Sequence, residues 1–400
     1  MRAFARDVVL RLPGLRRFKN LIRKLELAQD RVDALESKLA VFKRRLAEEE
    51  QERSALRGRL DQLGVRLTAA RGGAAARLGR LREALHVSRR AAPSSDVLAS
   101  LMPIRHAALL RSRHAAEARA EHAARLETSP VYRAAFEAAS DAIDADRLEL
   151  NGVTLWVPRD ARGAGSLSDR LHRGQLPLRD ILRTREVSMG RVMIDIGANI
   201  GTTSIPRIVL GDVERVFAAE PEPLNFACLV RSIRDNALEG LIVPAAVALS
   251  DREGELAIDL GSHIGTHRMA KGPAAGRPSV RTTTLDIWVR ELGVDLDALA
   301  FIKCDTQGHE ALVLRGAADV LSRRQTAWQI EFSPGHLRRH DLADLYALLA
   351  RHFDWFIDIG DRAVGDRVRP IAALVEATSY VVERRDVTFT NLLLFNGLTA

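Results

Sequence analysis

The 400-residue chain contains two cysteines, Cys228 and Cys304, in unrelated contexts. Neither has a Cys or His neighbour at a metal or disulfide spacing, so a disulfide framework and a structural zinc site are excluded and a reducing compartment is expected. Aromatic residues make up 5% of the chain. Few of them lie among the basic residues, which argues against a surface that stacks nucleic-acid bases. No apolar run reaches the length of a membrane span. The basic start "MRAFARDVVLRLPGLRRFKN" is broken at Asp7, Arg11 and Pro13 and does not read as a secretory signal. These absences leave a chain expected in the cytoplasm.

Charge is placed unevenly. The formal net charge is +8, yet residues 1–128 hold 28 Lys+Arg against 15 Asp+Glu, a balance of +13. The remainder holds 32 against 37, a balance of −5. The basic arm suits an anionic membrane surface or an acidic partner, with peripheral contact at the inner face of the membrane as one expectation. It also carries a heptad seam. Phe18, Leu25, Val32, Leu39, Leu46, Leu60 and Leu67 take a positions, and Leu21, Ala28, Leu35, Phe42, Leu56 and Leu63 take d positions. Only Arg53 and Glu49 interrupt it, which predicts a long coiled-coil helix and a homo-oligomer formed through it.

Three regions follow: a lead-in and coiled coil over 1–90, an Ala-rich helical linker over 91–147, and an α/β domain over 148–400. His106, His114 and His122 recur every eight residues in the linker, drift around the helix without a carboxylate, and read as a solvated face rather than a metal site. "LELNGVTLWVP" reads as a hairpin. Beyond it, apolar runs at 191–196, 215–220, 242–249, 301–305, 327–332, 354–359 and 389–395 alternate with helical stretches. Those stretches fall near 177–187, 201–210, 222–236, 285–293, 309–322 and 336–351. The pattern predicts an α/β doubly wound, seven-stranded sheet, with a Gly-rich insertion between the third and fourth strands.

The chemistry gathers at strand ends. In "RVMIDIGANIGTTSIP" an apolar strand ends at Asp195 and turns through Gly197, Asn199 and Gly201 into a helix. The glycines let a ligand approach the backbone, and the spacing lacks the middle glycine of a G-x-G-x-x-G dinucleotide turn. The next strand ends in Glu220, placed to accept the hydroxyls of a ribose, with Asn225 one helical turn on. The fourth strand delivers Asp305, then Gln307, His309 and Glu310, to the same carboxyl edge. A glycine turn after a strand has a bland reading as packing, and an acid at a helix start reads as a cap. Four polar groups behind one apolar strand favour a ligand site. No set of residues has metal-ligand spacing.

"VMIDIGANIG", "FAAEPEPLNFACL", "VALSDREGE", "TTTLD", "IKCDTQGHEALVLRGA" and "IEFSP", in this order, resemble the FkbM-type methyltransferases over roughly residues 190–335. The resemblance implies a Rossmann-like methyltransferase fold, S-adenosylmethionine as donor, and methyl transfer to a hydroxyl of a sugar, glycan or glycolipid. It implies donor contacts at Asp195, Gly197, Asn199, Gly201, Glu220, Asn225, Ala246 and Val247. Asp305, Gln307 and Glu310 match the fourth-strand motif. Asp305, His309 and Glu331 are the candidates for a catalytic base, and His263, His267, Gln307 and Glu310 for acceptor contacts, the two histidines lying in the insertion. No nucleic-acid partner is expected. Two rival readings stand beside this one: an NAD-dependent oxidoreductase, and a coiled-coil scaffold whose methyltransferase-like domain has lost catalysis.

Overall fold

A computed structural model describes residues 95–139, 143–159, 166–188, 190–259, 268–269, 279–337, 339–360, 367–383 and 388–396. The coiled-coil expectation and the insertion histidines His263 and His267 lie outside the described residues. The described residues fall in one compact unit, Leu81–Ala400.

The Ala-rich segment forms α1 (Ser95–Leu110), α2 (Arg113–Thr128) and α3 (Pro130–Ala138). Ser112 caps α2 by accepting from Ala115 N, and Ser129 caps α3 by accepting from Tyr132 N, with Pro130 in the first turn. These helices dock on the sheet domain. Gly240 lies so close to α2 that an added Cβ would stand 1.8 Å from the Ala118 carbonyl oxygen. His114 is exposed, with Nε2 3.1 Å from Glu214 O, as a solvated face expects, whereas His106 and His122 are half-buried: His106 Nε2 meets Asn236 O at 2.8 Å and His122 Nδ1 meets the Tyr132 hydroxyl at 2.9 Å. Periodicity alone gave no sign of this face being partly covered, because alanine and histidine suit either environment.

The hairpin is present as β1 (Ala145–Leu150) and β2 (Val153–Pro158), antiparallel, turning at Asn151 and Gly152 with φ of 52° and 79°. Positive φ at both positions matches the right-handed strand twist that two-residue hairpins require. Then come α4 (Leu167–His172), α5 (Leu178–Ser188), β3 (Gly190–Ile196), α6 (Ser204–Leu210), β4 (Val213–Ala219), α7 (Pro223–Asp235) and β5 (Ile242–Ala245). The chain leaves the sheet after Ala245, so the expected strand 242–249 is two strands. The second, β6 (Ala248–Ser250), pairs with β9 (Ser279–Thr284) in a four-stranded satellite sheet with β7 (Gly254–Asp259) and β8 (Arg268–Met269). After α8 (Leu285–Glu291) and β10 (Leu299–Cys304), the expected helix 309–322 is broken into α9 (Glu310–Arg315) and α10 (Ala318–Leu321). The break falls at Gly316, where an added Cβ would stand 2.0 Å from Ser250 O.

The domain closes with β11 (Ala327–Phe332), α11 (Arg339–His352), β12 (Trp355–Asp358), β13 (Arg369–Pro370) and β14 (Thr390–Phe395). Among the described residues the main sheet has eight strands, not seven, in the order β13-β12-β14-β11-β10-β3-β4-β5. The extra member is the two-residue edge strand β13, too short to register as a period. The sheet is mixed: β14 runs antiparallel between β11 and β12, and the strands from β11 to β5 are parallel. Val192, Ile194 and Ile196 of β3 enter one large core with Phe217, Ile302, Trp328 and Leu392. Asp195 lies on the opposite face of β3, where it meets Ser204 of α6. Both faces are therefore covered, as a buried parallel strand requires.

Candidate functional site

Strand order reverses between β3 and β10, and at such a switch point the carboxyl ends of neighbouring strands part to leave a crevice. A cavity of about 510 Å³ lies there. Its floor is Ile196 and Gly197 after β3, Ala219 and Glu220 after β4, Lys303 and Asp305 at β10, and Gln329, Glu331 and Ser333 along β11.

The turn after β3 is held by backbone. Gly197 and Ala198 both donate to Ala219 O, at 2.9 and 3.0 Å. Gly197 has φ +74°, and an added Cβ would stand 1.9 Å from Asp305 O, so only glycine fits. Asn199 also sits in the left-handed region, at φ 53°, its amide donating to Glu220 Oε2 at 2.8 Å. Glu220 Oε1 accepts from Glu222 N at 3.0 Å. Burial lifts the Glu220 carboxyl to about 7, against two backbone donors that favour its charge. Glu222 caps α7 by accepting from Leu224 N and Asn225 N. Asn225 lines the cavity, is 2% exposed, and its Oδ1 has no hydrogen-bond partner among the described residues. An orphaned acceptor of this kind marks where a ligand donor belongs.

The opposite wall is held by side chains. Lys303 Nζ stands 3.3 Å from Asp305 Oδ2 and 3.5 Å from Asp195 Oδ1, and donates to Gly197 O at 3.2 Å. Burial opposes its charge, but Asp305 and Asp195 outweigh that and hold the ammonium above its ordinary range. Gln307, at φ 56°, donates through one amide nitrogen to Asp305 Oδ1 at 2.9 Å and Glu331 Oε2 at 2.8 Å. Glu331 is pushed well above the carboxylate range by burial and then by the charges of Asp305 and Glu310. His309 Nε2 meets the Ser250 hydroxyl at 2.9 Å, and burial lowers its ring to about 4, so it is neutral at physiological pH.

Of the residues expected at the site, Gly197, Asn199, Glu220, Asn225, Val247, Asp305, Gln307, His309 and Glu331 line the cavity. Four do not. Asp195 is fully buried beneath the floor, accepting from Ser204 Oγ at 2.6 Å, and burial raises its carboxyl. Gly201 packs against Ile205 and Leu229, each 3.0 Å from where its Cβ would be. Ala246 is exposed at the crossing between the two sheets. Glu310 is fully buried and closes the 306–308 turn, accepting from Thr306 N at 2.9 Å and Gly308 N at 3.1 Å. Spacing locates a residue near a site without fixing which way its side chain turns. Lys303, Gln329 and Asn391 line the cavity and were not anticipated. Lys303 and Gln329 each lie two residues before an anticipated acid on the same strand, so period-two alternation could have found them.

Residues 195–357 match the family model of the methyltransferase FkbM domain. Among solved structures, the chain is similar to the FkbM methyltransferase of Methylobacillus flagellatus KT, at 21% identity over 52% of this chain and 44% of that one, with a TM-score of 0.34. The chain thus spans less than half the length of that relative. It is also similar to M. jannaschii TYW2 in complex with AdoMet, at 11% identity over 64% of this chain and 85% of that one, with a TM-score of 0.31. No curated protein sequence matches. The matched stretch begins at Asp195 and ends within β12, so it contains both walls of the cavity except the lining residues between Leu167 and Asp180 and the three at Thr388, Phe389 and Asn391. Among the described residues, no helix is long and apolar enough to cross a membrane.

Proposed function

We propose that the protein is an S-adenosylmethionine-dependent O-methyltransferase acting on a hydroxyl of a sugar, glycan or glycolipid. One observation carries this reading: a single cavity joins a polar end, Glu220 and Asn225, to a paired-acid end, Asp305 and Glu331. The residues present fit the donor. Glu220 stands at the strand end where an acid accepts ribose hydroxyls, Asn225 Oδ1 is an acceptor awaiting a donor, and Gly197 keeps the backbone bare. Bound there, S-adenosylmethionine supplies a methyl group already activated as an electrophile.

The chain's own work is to align an acceptor oxygen, keep water out and take the hydroxyl proton. Asp305 is the proposed base. Both of its oxygens are fixed, one by Lys303 and one by Gln307, and each keeps a lone pair for the acceptor O–H. A base so placed contributes about 10²–10⁴-fold. Glu331, whose carboxyl burial pushes well above its ordinary range, faces the acceptor beside it. Gln329 and Asn391 continue this wall, and Asn391 Nδ2 donates to Asp180 Oδ2 at 3.1 Å, giving amides and carboxylates suited to a polyhydroxylated acceptor. The basic arm joins copies through its heptads and keeps the enzyme in the cytoplasm at the anionic inner face of the membrane. Several heads on one stalk would raise the effective concentration on a repetitive acceptor.

Calorimetry with S-adenosylmethionine and, separately, NAD tests the donor. Donor binding that weakens in Glu220→Ala, with no NAD binding, is expected. NAD binding in place of the methyl donor would return the oxidoreductase reading, and a folded protein that binds neither would leave the stalk as the working part.

A further inference from the structure

Among the described residues, Lys303 is the one lysine lining the cavity. It sits at the penultimate position of β10, with its side chain 10% exposed. A buried ammonium is costly unless paired, and this one has three partners from two turns. On one side are Gly197 O and Asp195 of the β3 end, and on the other is Asp305 at the end of its own strand. The two turns already touch, since Asp305 N donates to Ile196 O at 3.0 Å. Glu331 and Glu220 are further carboxyl groups within its electrostatic reach.

We propose that Lys303 is the positioning residue of this site: its ammonium pins Asp305 to the Gly197 turn and offsets the negative charge at the reacting end of the cavity. The proposal rests on the methyl-donor reading above. It assigns Lys303 a role beyond strand packing, because a lysine that only filled space would not need to reach both turns. A sulfonium is positive and its thioether product is neutral, so a cation fixed beside the acids weakens the donor relative to the product. Removing it leaves the acids uncompensated and favours the sulfonium.

The test is calorimetry on the full chain with two probes, S-adenosylmethionine and S-adenosylhomocysteine, in wild type, Lys303→Met, Lys303→Gln and Lys303→Arg. The ratio of product Kd to donor Kd is expected to rise about tenfold or more in the Met and Gln variants and to stay within a few-fold of wild type in Arg. Equal weakening of both ligands, with the ratio unmoved, would overturn the proposal and leave Lys303 a structural residue. Lys303→Gln keeps a donor for Gly197 O and decides the matter if Lys303→Met fails to fold. Wild type that binds neither probe would sink the methyl-donor reading itself, a result distinct from an unmoved ratio.

Discussion

The two walls of the cavity are built by different means. The donor wall, from Gly197 to Glu220, is fixed by main chain: two amides on Ala219 O, positive φ at Gly197 and Asn199, and backbone donors on both Glu220 oxygens. The acid wall, from Lys303 to Glu331, is fixed by side chains reaching across strands, with Gln307 bridging two carboxyl groups and Lys303 bridging two turns. A main-chain wall tolerates little change in shape and binds what every member of a chemical class shares. A side-chain wall can be re-lettered residue by residue, and on the proposed function it is the wall that would choose the acceptor.

The largest expected break in this contrast comes from Gly197→Ala. The left-handed backbone and the collision with Asp305 O together cost roughly 3 kcal/mol or more. Thermal melts should show a large loss, and donor binding should vanish. Asp305→Asn should do the reverse, removing about 10²–10⁴-fold from methyl transfer to a panel of methyl glycosides while the melting temperature and S-adenosylhomocysteine binding change little. Normal turnover in that variant would remove Asp305 as the base.

Glu220→Gln sharpens the donor wall and should weaken donor binding about 10–100-fold. It should also flatten a pH dependence. Burial lifts Glu220 to about 7 from a usual 4.5, so the folded protein holds a proton that the unfolded chain has lost between those values. Its contribution to stability is full below about pH 4.5 and is lost as pH rises through about 7. Donor affinity runs the other way, rising from pH 6 to 8 as the carboxylate becomes free to accept ribose hydroxyls. A flat wild-type profile by calorimetry would contradict this. The smallest effect belongs to neither wall: Arg147→Ala breaks an exposed pair with Asp235 and should change stability by about 1 kcal/mol or less, leaving donor binding alone.

The same contrast decides what could be read before the fold was known. Gly197, Glu220 and the hairpin at Asn151 were legible because backbone conformation leaves local marks in glycine, asparagine and strand-end acids. Asp305 and Glu331 were legible as acids at strand ends, but their bridging by Gln307 was not, because it needs β10 and β11 side by side. Glu310 looked like an acceptor contact and is instead the clamp of a turn, a difference set by how its side chain rotates at the first position of α9. The departure of the chain from the sheet at Ala246 and the brief pairing of Arg369–Pro370 left no periodic signal. The FkbM match covers residues 195–357 and is silent on α1–α3, which only tertiary contact places against the sheet.

The position of β14 has a consequence for how the protein is made. This strand leaves the ribosome after every other strand of the sheet, yet it lies between β11 and β12. Until it arrives, β11, buried along its whole length in the finished domain, is an open edge of unpaired backbone N–H and C=O groups. Vectorial synthesis would thus complete the donor wall early and leave the acid wall waiting.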